Sequence, residues 1–185
     1  MTGFDLADFS YSRKRAPAVA TLQSRQFTIR VRGQTIGLPV DCVKTIFHVE
    51  NLTKVPLAPR EVAGLANLRG RIVTALHLDR CLWLGESGPG ANNDGLAVGI
   101  EHNGEEYALL VDETDDVVVT DESDRISCPA HIDPRLAELM AGCYRHNGGF
   151  LSILDIGAVL RRVSKLSEAT LREGRSTNTN RGASS

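Results

Sequence analysis

The sequence predicts an all-β fold with a few short helices, built as two small β-barrels packed together. Three observations lead there. Short stretches of apolar alternation with period two recur between residues 27 and 154. Turn dipeptides separate them at intervals typical of barrels rather than of a parallel α/β sheet. The chain also repeats itself. Gly33, Leu38, Val40 and Asp41 recur as Gly104, Leu109, Val111 and Asp112, 71 residues on (33 to 104), and Ile46 falls on Val117. Gly70, Leu76 and Leu82 recur as Gly148, Leu154 and Leu160, 78 residues on (70 to 148).

Residues 1–25 lack a sustained period and read as a mobile arm. Phe27, Ile29 and Val31 then alternate with polar neighbours, and Gly33-Gln34 turns the chain into Ile36, Leu38 and Val40, a first hairpin. Residues 42–49 read as strand or short helix, with Val43, Ile46 and Phe47 available for burial. Pro56 and Pro59 break the next stretch, and Pro59 is placed to open a two-turn helix through Val62, Leu65 and Ala66. After Gly70 the period returns to two, so a strand leaves directly from Asn67-Leu68-Arg69-Gly70. That quartet sets a permanently charged fork and an amide at a turn.

Residues 85–95 hold glycines, a proline and two asparagines with little to bury, a flexible surface loop. A second hairpin joins Leu96–His102 to 106–111 through Asn103-Gly104, a dipeptide that accepts positive φ at both central positions. A short strand at 117–120 follows, then a short helix carrying Leu136, Leu139 and Met140. The third hairpin has arms 143–146 and 150–154 around Asn147-Gly148, and a closing helix over 156–163 has Ile156, Val159, Leu160 and Val163 as its apolar stripe. Beyond Ser164 the composition predicts disorder. The expected organisation is an arm at 1–25, a folded body at 26–163 and a tail at 164–185.

With 185 residues, 24% charged and 42% hydrophobic, the chain has room for one core of ordinary size or two small cores sharing an interface. No apolar run approaches the roughly 18 residues of a membrane span. A net charge of -2 argues against a dedicated nucleic-acid binder. The amino-terminal region has basic residues but no apolar run behind them, which points to a cytoplasmic setting, and Cys42, Cys81, Cys128 and Cys143 therefore read as reduced thiols.

Catalytic or metal chemistry has one candidate. Cys128 with His131 and Cys143 with His146 form two C-x-x-H pairs, and thiolate and imidazole are both zinc ligands. Residues three apart on one strand face opposite sides, however, and Pro129 stiffens the other pair. The acidic run at 112–124 lacks the glycine and terminal glutamate of a calcium loop, and no Ser, Cys or Thr stands in a nucleophile motif. His77 reads as a surface or interface residue and Trp83 as core. No enzyme, cofactor or metal is expected.

The stretch VPLAPREVAGLANLRGRIVTALHLDRCLWLG, followed by EEYALLVDETDDVV and CPAHIDPRLAELMAGCYRHNGGFLSILDIGAVL, resembles the CheW-type chemotaxis adaptors over residues 27–163. The resemblance implies two five-stranded barrels and a non-enzymatic scaffold. Such a scaffold joins the cytoplasmic tip of chemoreceptors to the regulatory domain of a CheA-type histidine kinase, with ring or array assembly, and without nucleic acid or membrane insertion. It places Asn67, Leu68, Arg69 and Gly70 in the family's NLRG loop, Arg69 foremost, and Val40, Val43 and Thr45 in a stretch near the receptor groove. The family commonly carries Glu where this chain has Thr45. That departure leaves open a divergent adaptor in a non-chemotactic kinase pathway, and the C-x-x-H pairs keep a small zinc-binding protein as the alternative from another class.

Overall fold

The computed structural model describes residues 23–85, 95–129 and 132–178. In chain order it contains β1 (Gln23–Val31), β2 (Gln34–Pro39), β3 (Val43–His48), β4 (Val62–Leu68), β5 (Arg71–His77), α1 (Leu78–Cys81), β6 (Leu96–His102), β7 (Glu105–Leu110), β8 (Glu113–Asp121), β9 (Arg125–Ile126), α2 (Pro134–Ala137), β10 (Met140–His146), β11 (Gly149–Leu154) and α3 (Ile156–Asn178). One sheet runs β3-β6-β7-β5-β4 and the other β8-β1-β2-β11-β10-β9. Two small β-subdomains are thus present, the second one strand larger than the five expected because of the two-residue β9.

Four tight hairpins punctuate the described residues. Their turns are Arg32-Gly33, Arg69-Gly70, Asn103-Gly104 and Asn147-Gly148, every one with positive φ at both residues, the geometry whose twist matches the flanking strands. The first and third turns are related by the 71-residue offset, the second and fourth by the 78-residue offset. The register obeys the same offsets. Phe27 opposite Val117 in one sheet corresponds to Val98 opposite Ile46 in the other, and Ile36 opposite Ser152 corresponds to Tyr107 opposite Thr74. Even the bulges repeat, between Val62 and Gly64 and between Met140 and Gly142.

The two halves nevertheless do not fold as separate sheets. Hairpin β1-β2 belongs with β8, β10 and β11 of the second half, and hairpin β6-β7 with β3, β4 and β5 of the first. A 3-10 turn at Val40–Cys42, directly after Pro39, carries the chain out of the six-stranded sheet into the five-stranded one. The exchange buries one continuous core between the sheets, with Ile29, Leu38, Leu76, Val98 and Leu109 from the strands and Val159 and Leu160 from α3. Each such aliphatic side chain contributes about 1.5–3 kcal/mol through burial. A second, alanine-rich cluster of Ala66, Leu68, Val73, Ala75, Ala97, Ala108 and Leu110 fills the inside of the five-stranded sheet.

Several expectations are corrected. Val62, Leu65 and Ala66 lie on strand β4, not on a helix opened by Pro59, because β4 pairs with β5 from Val62↔Leu76 to Leu68↔Arg71 while Thr53 bridges Leu65 on its other side. Pairing with distant chain overrides a weak local period. Residues 43–48, left open between strand and helix, are strand β3. The closing helix does not stop at Val163 but runs to Asn178, so the tail read as disordered from Ser164 begins as helix; Leu166 and Thr170 stay partly buried, prolonging the stripe. Cys128 and Cys143 are not free thiols but a disulfide: β9-β10 pairing sets Ile126 opposite Cys143 and brings the two Cα atoms to 5.4 Å. Trp83, read as core, does pack against the main core and is partly buried. The arm at 1–25 enters β1 at Gln23, and its first 22 residues, like most of the loop at 85–95, lie outside the described residues.

Candidate functional site

The quartet Asn67-Leu68-Arg69-Gly70 is the tip of the β4-β5 hairpin. The strands close on the pair Leu68↔Arg71, which leaves Arg69 and Gly70 as the two-residue turn, with φ of 51° and 86°. Asn67 ties it: its Oδ1 accepts the backbone N–H of Gly70 at 2.8 Å, so this amide holds the turn rather than waiting for a partner. Leu68 points inward and is buried in the alanine-rich cluster, where it anchors the tip. Asn67 and Arg69 are both exposed, and Arg69 is the one whose side chain is not tied to the turn's own backbone.

Its guanidinium leans across the sheet surface toward β3, where Nη2 donates to Thr45 Oγ1 at 3.4 Å. Thr45 stands opposite Gly99 of β6. A Cβ at Gly99 would come within 2.8 Å of Thr45 Cγ2 and 3.5 Å of Leu68 Cδ2, so the bare backbone there lets Thr45 and Leu68 close in beneath Arg69. The structure therefore joins Arg69 and Thr45 into one contact. Val40, in the 3-10 turn, and Val43, the first residue of β3, are half-buried against the main core and separate from that contact. Around the tip, exposed pairs Lys44–Glu101 (3.1 Å) and Arg71–Glu106 (3.2 Å) neutralise each other. Such exposed pairs add little stability.

Apolar exposure on this sheet is concentrated at Ile72, 68% exposed beside the tip, and Ile46 on β3, 46% exposed. The 78- and 71-residue offsets carry these two onto Phe150 and Val117, which are also exposed, at 37% and 43%. Both subdomains thus display a large apolar side chain at the same place on the same strand. Sequence reading missed them as site residues, although the self-alignment that set Ile46 on Val117 already contained the signal. Matched exposed apolar side chains on both subdomains point to protein contact.

This assembly suits recognition. A guanidinium forks onto a carboxylate, and the aliphatic and aromatic side chains fill grooves. Tyr107, next to Thr74 on the same sheet, is pushed up to about 12 by burial and then by its hydrogen bond to Glu105, so it stays protonated near neutrality. The C-x-x-H pairs do not offer two thiolates, since Cys128 and Cys143 are bonded to each other; His131 lies outside the described residues. Among the described residues no three His, Cys, Asp or Glu side chains gather where they could hold a metal ion.

Comparison with known proteins agrees with this geometry. The family model of the CheW-like domain matches residues 25–164. Chemotaxis protein CheW of Treponema pallidum (strain Nichols) is 28% identical over 146 residues, spanning 77% of this chain and 86% of that protein. Chemotaxis protein CheW of Bacillus subtilis (strain 168) is 26% identical over 143 residues, spanning 77% and 90%. The crystal structure of scaffolding protein TtCheW from Thermoanaerobacter tengcongensis superposes with a TM-score of 0.63 at 21% identity, covering 73% of this chain and 90% of that one, which supports the fold.

Proposed function

The chain belongs to the CheW-like domain family, and from that premise we propose that it is a non-enzymatic scaffold coupling chemoreceptors to a CheA-type histidine kinase. The observation that carries the reading is the Asn67–Gly70 tip: the stretch with the strongest family resemblance is also where the fold ties down a tight turn and turns an arginine outward. Arg69 is the anchor for a carboxylate-bearing partner, and the regulatory domain of the kinase and the cytoplasmic tip of the receptor are the partners. Ile46, Ile72, Val117 and Phe150 supply apolar contact on the two subdomains, so one molecule can touch neighbours on both sides, as assembly into a ring or array requires. No described helix is long and apolar enough to cross a membrane. The working place of the scaffold is the cytoplasmic side of the receptor layer.

Thr45 favours a second reading. Where the family commonly has a carboxylate, this chain meets Arg69 with a hydroxyl, so the guanidinium keeps its charge for an outside partner. A divergent adaptor serving a separate kinase pathway fits that change. Co-purification of the full chain decides between them: recovery of a receptor together with the kinase supports receptor coupling, recovery of a kinase without receptor supports the divergent pathway, and recovery of neither from a folded sample rejects both.

A further inference from the structure

Cys128 and Cys143 are set apart from the other two cysteines by position. Cys143 lies in the middle of β10 with no exposure, and its Sγ is 3.6 Å from Ser152 Oγ on the adjacent strand β11. Cys128 follows β9, two residues after the Ile126 that pairs with Cys143, and is only partly buried. The Cα separation of 5.4 Å is within the normal range for a bond that needs no backbone movement. One cysteine is thus partly exposed while its partner is sheltered and held beside a hydroxyl.

We propose that Cys128 and Cys143 are a reversible thiol-oxidation site, closed by low-molecular-weight disulfides of the glutathione class and reopened by the corresponding thiol. In closing, the Cys128 thiolate attacks one sulfur of glutathione disulfide, forming a mixed disulfide and releasing one glutathione thiolate. The Cys143 thiolate then attacks Cys128 Sγ, the protein bond forms, and the second glutathione thiolate leaves. Two protein thiols are oxidised and one glutathione disulfide is reduced to two glutathiones, which carry away the two protons. The Ser152 hydroxyl donates to the buried sulfur when it is a thiolate, easing its ionisation in both directions. Cys42 and Cys81 are poor competitors: burial raises both thiols, Cys81 up to about 12.

The bond closes a loop whose ends are 15 residues apart and which carries α2. In that loop Ile132, Asp133, Leu136 and Met140 line a cleft of about 620 Å³ together with Trp83 and Phe150. Closing the bond therefore restrains a wall adjoining the exposed Phe150. This chemistry does not depend on the adaptor role.

The test uses the full chain, fully reduced and then equilibrated with graded mixtures of glutathione and glutathione disulfide. Intact mass and peptide mapping read the products, and amide hydrogen exchange reads residues 132–139. The expected result is loss of two hydrogens without retained glutathione, a single link between Cys128 and Cys143, reversal by excess glutathione, and exchange in 132–139 slowed at least about tenfold in the oxidised form. Cys128→Ser should fold, form no link and leave Cys143 resistant to alkylation. A stable glutathione adduct without a link, a link to Cys42 or Cys81, a bond that glutathione never opens, or identical exchange in both forms would overturn the proposal.

Discussion

Arg162 of α3 lays its guanidinium over the ring of Trp83, 3.8 Å from the centroid, and uses the same group to reach the Cys81 carbonyl at 3.1 Å and the Glu61 carboxylate at 3.4 Å. Trp83 has a positive φ, 53°, so the chain turns sharply after α1 to bring the ring under the arginine. Glu61 is almost completely buried, and Arg162 is its inner partner. One cation thereby fastens the last helix to the first half of the chain. Arg162→Ala should lower unfolding free energy by about 2–4 kcal/mol, since it takes the closer and more buried cation from a buried carboxylate and leaves it the exposed Arg60 at 3.8 Å. Chemical denaturation of the Arg162→Ala, Glu61→Gln and double variants checks this; if the two losses simply add, the pair is not coupled.

Arg69 makes a 3.4 Å contact from an exposed turn, so the fold does not lean on it. Arg69→Ala should change unfolding free energy by less than about 0.5 kcal/mol. It should weaken association with the kinase regulatory domain or the receptor tip by about 1–4 kcal/mol if Arg69 is the anchor. Calorimetric titration measures it, and unchanged affinity for both would remove Arg69 from the contact. Thr45→Glu should act oppositely on stability, adding about 0.3–1 kcal/mol at low salt through an ion pair that high salt erases, while drawing Arg69 away from its partner.

Gly64 sits at the bulge of β4 with φ of 149°, and a Cβ there would lie 2.6 Å from the carbonyl oxygen of Thr53. That oxygen accepts the N–H of Leu65, so it cannot retreat without breaking the bridge that holds the 49–61 connection. Gly64→Ala should cost about 2–4 kcal/mol by steric strain alone. Thermal unfolding reads the loss, and faster hydrogen exchange at Thr53 and Leu65 would locate it.

His77 ends β5, where burial lowers its pKa below the ordinary 6.5, and the nearby Arg80 lowers it further. The unfolded chain therefore takes up a proton at a higher pH than the folded one. Stability from this residue is complete above pH 6.5 and is lost as pH falls through the folded pKa. Unfolding free energy should fall between pH 7 and pH 5 more steeply in the natural chain than in His77→Gln, and ring titration by NMR should place His77 below 6.5. Equal slopes would mean that burial of the ring does not govern the pH response.

Local chemistry made much of this protein legible in one dimension. Asn103-Gly104 and Asn147-Gly148 announce hairpins because two successive residues must take positive φ, and the offsets of 71 and 78 residues mean that the turns and bulges of one half recur in the other. Arg69 was legible as the exposed member of its turn for the same reason. Leu68 was not: whether it faces a partner or the alanine-rich interior depends on which side β3 and β6 lie.

The remaining features were settled by pairing between distant residues. The period of Val62, Leu65 and Ala66 suits a short helix, and only the bridge from Thr53 and the ladder to β5 make it a strand. The exchange of hairpins, with Phe27 opposite Val117 and Ile46 opposite Val98, is invisible to a repeat search because both halves carry the same pattern and could equally pair within themselves. Cys128 and Cys143 are ordinary thiols in sequence and a bonded pair only once β9 lies beside β10. Sequence specified turns, strand faces and the repeat, which arise from dihedral limits and side-chain alternation. Tertiary structure alone chose which edges meet, because that choice depends on the apolar surface the whole chain can bury at once.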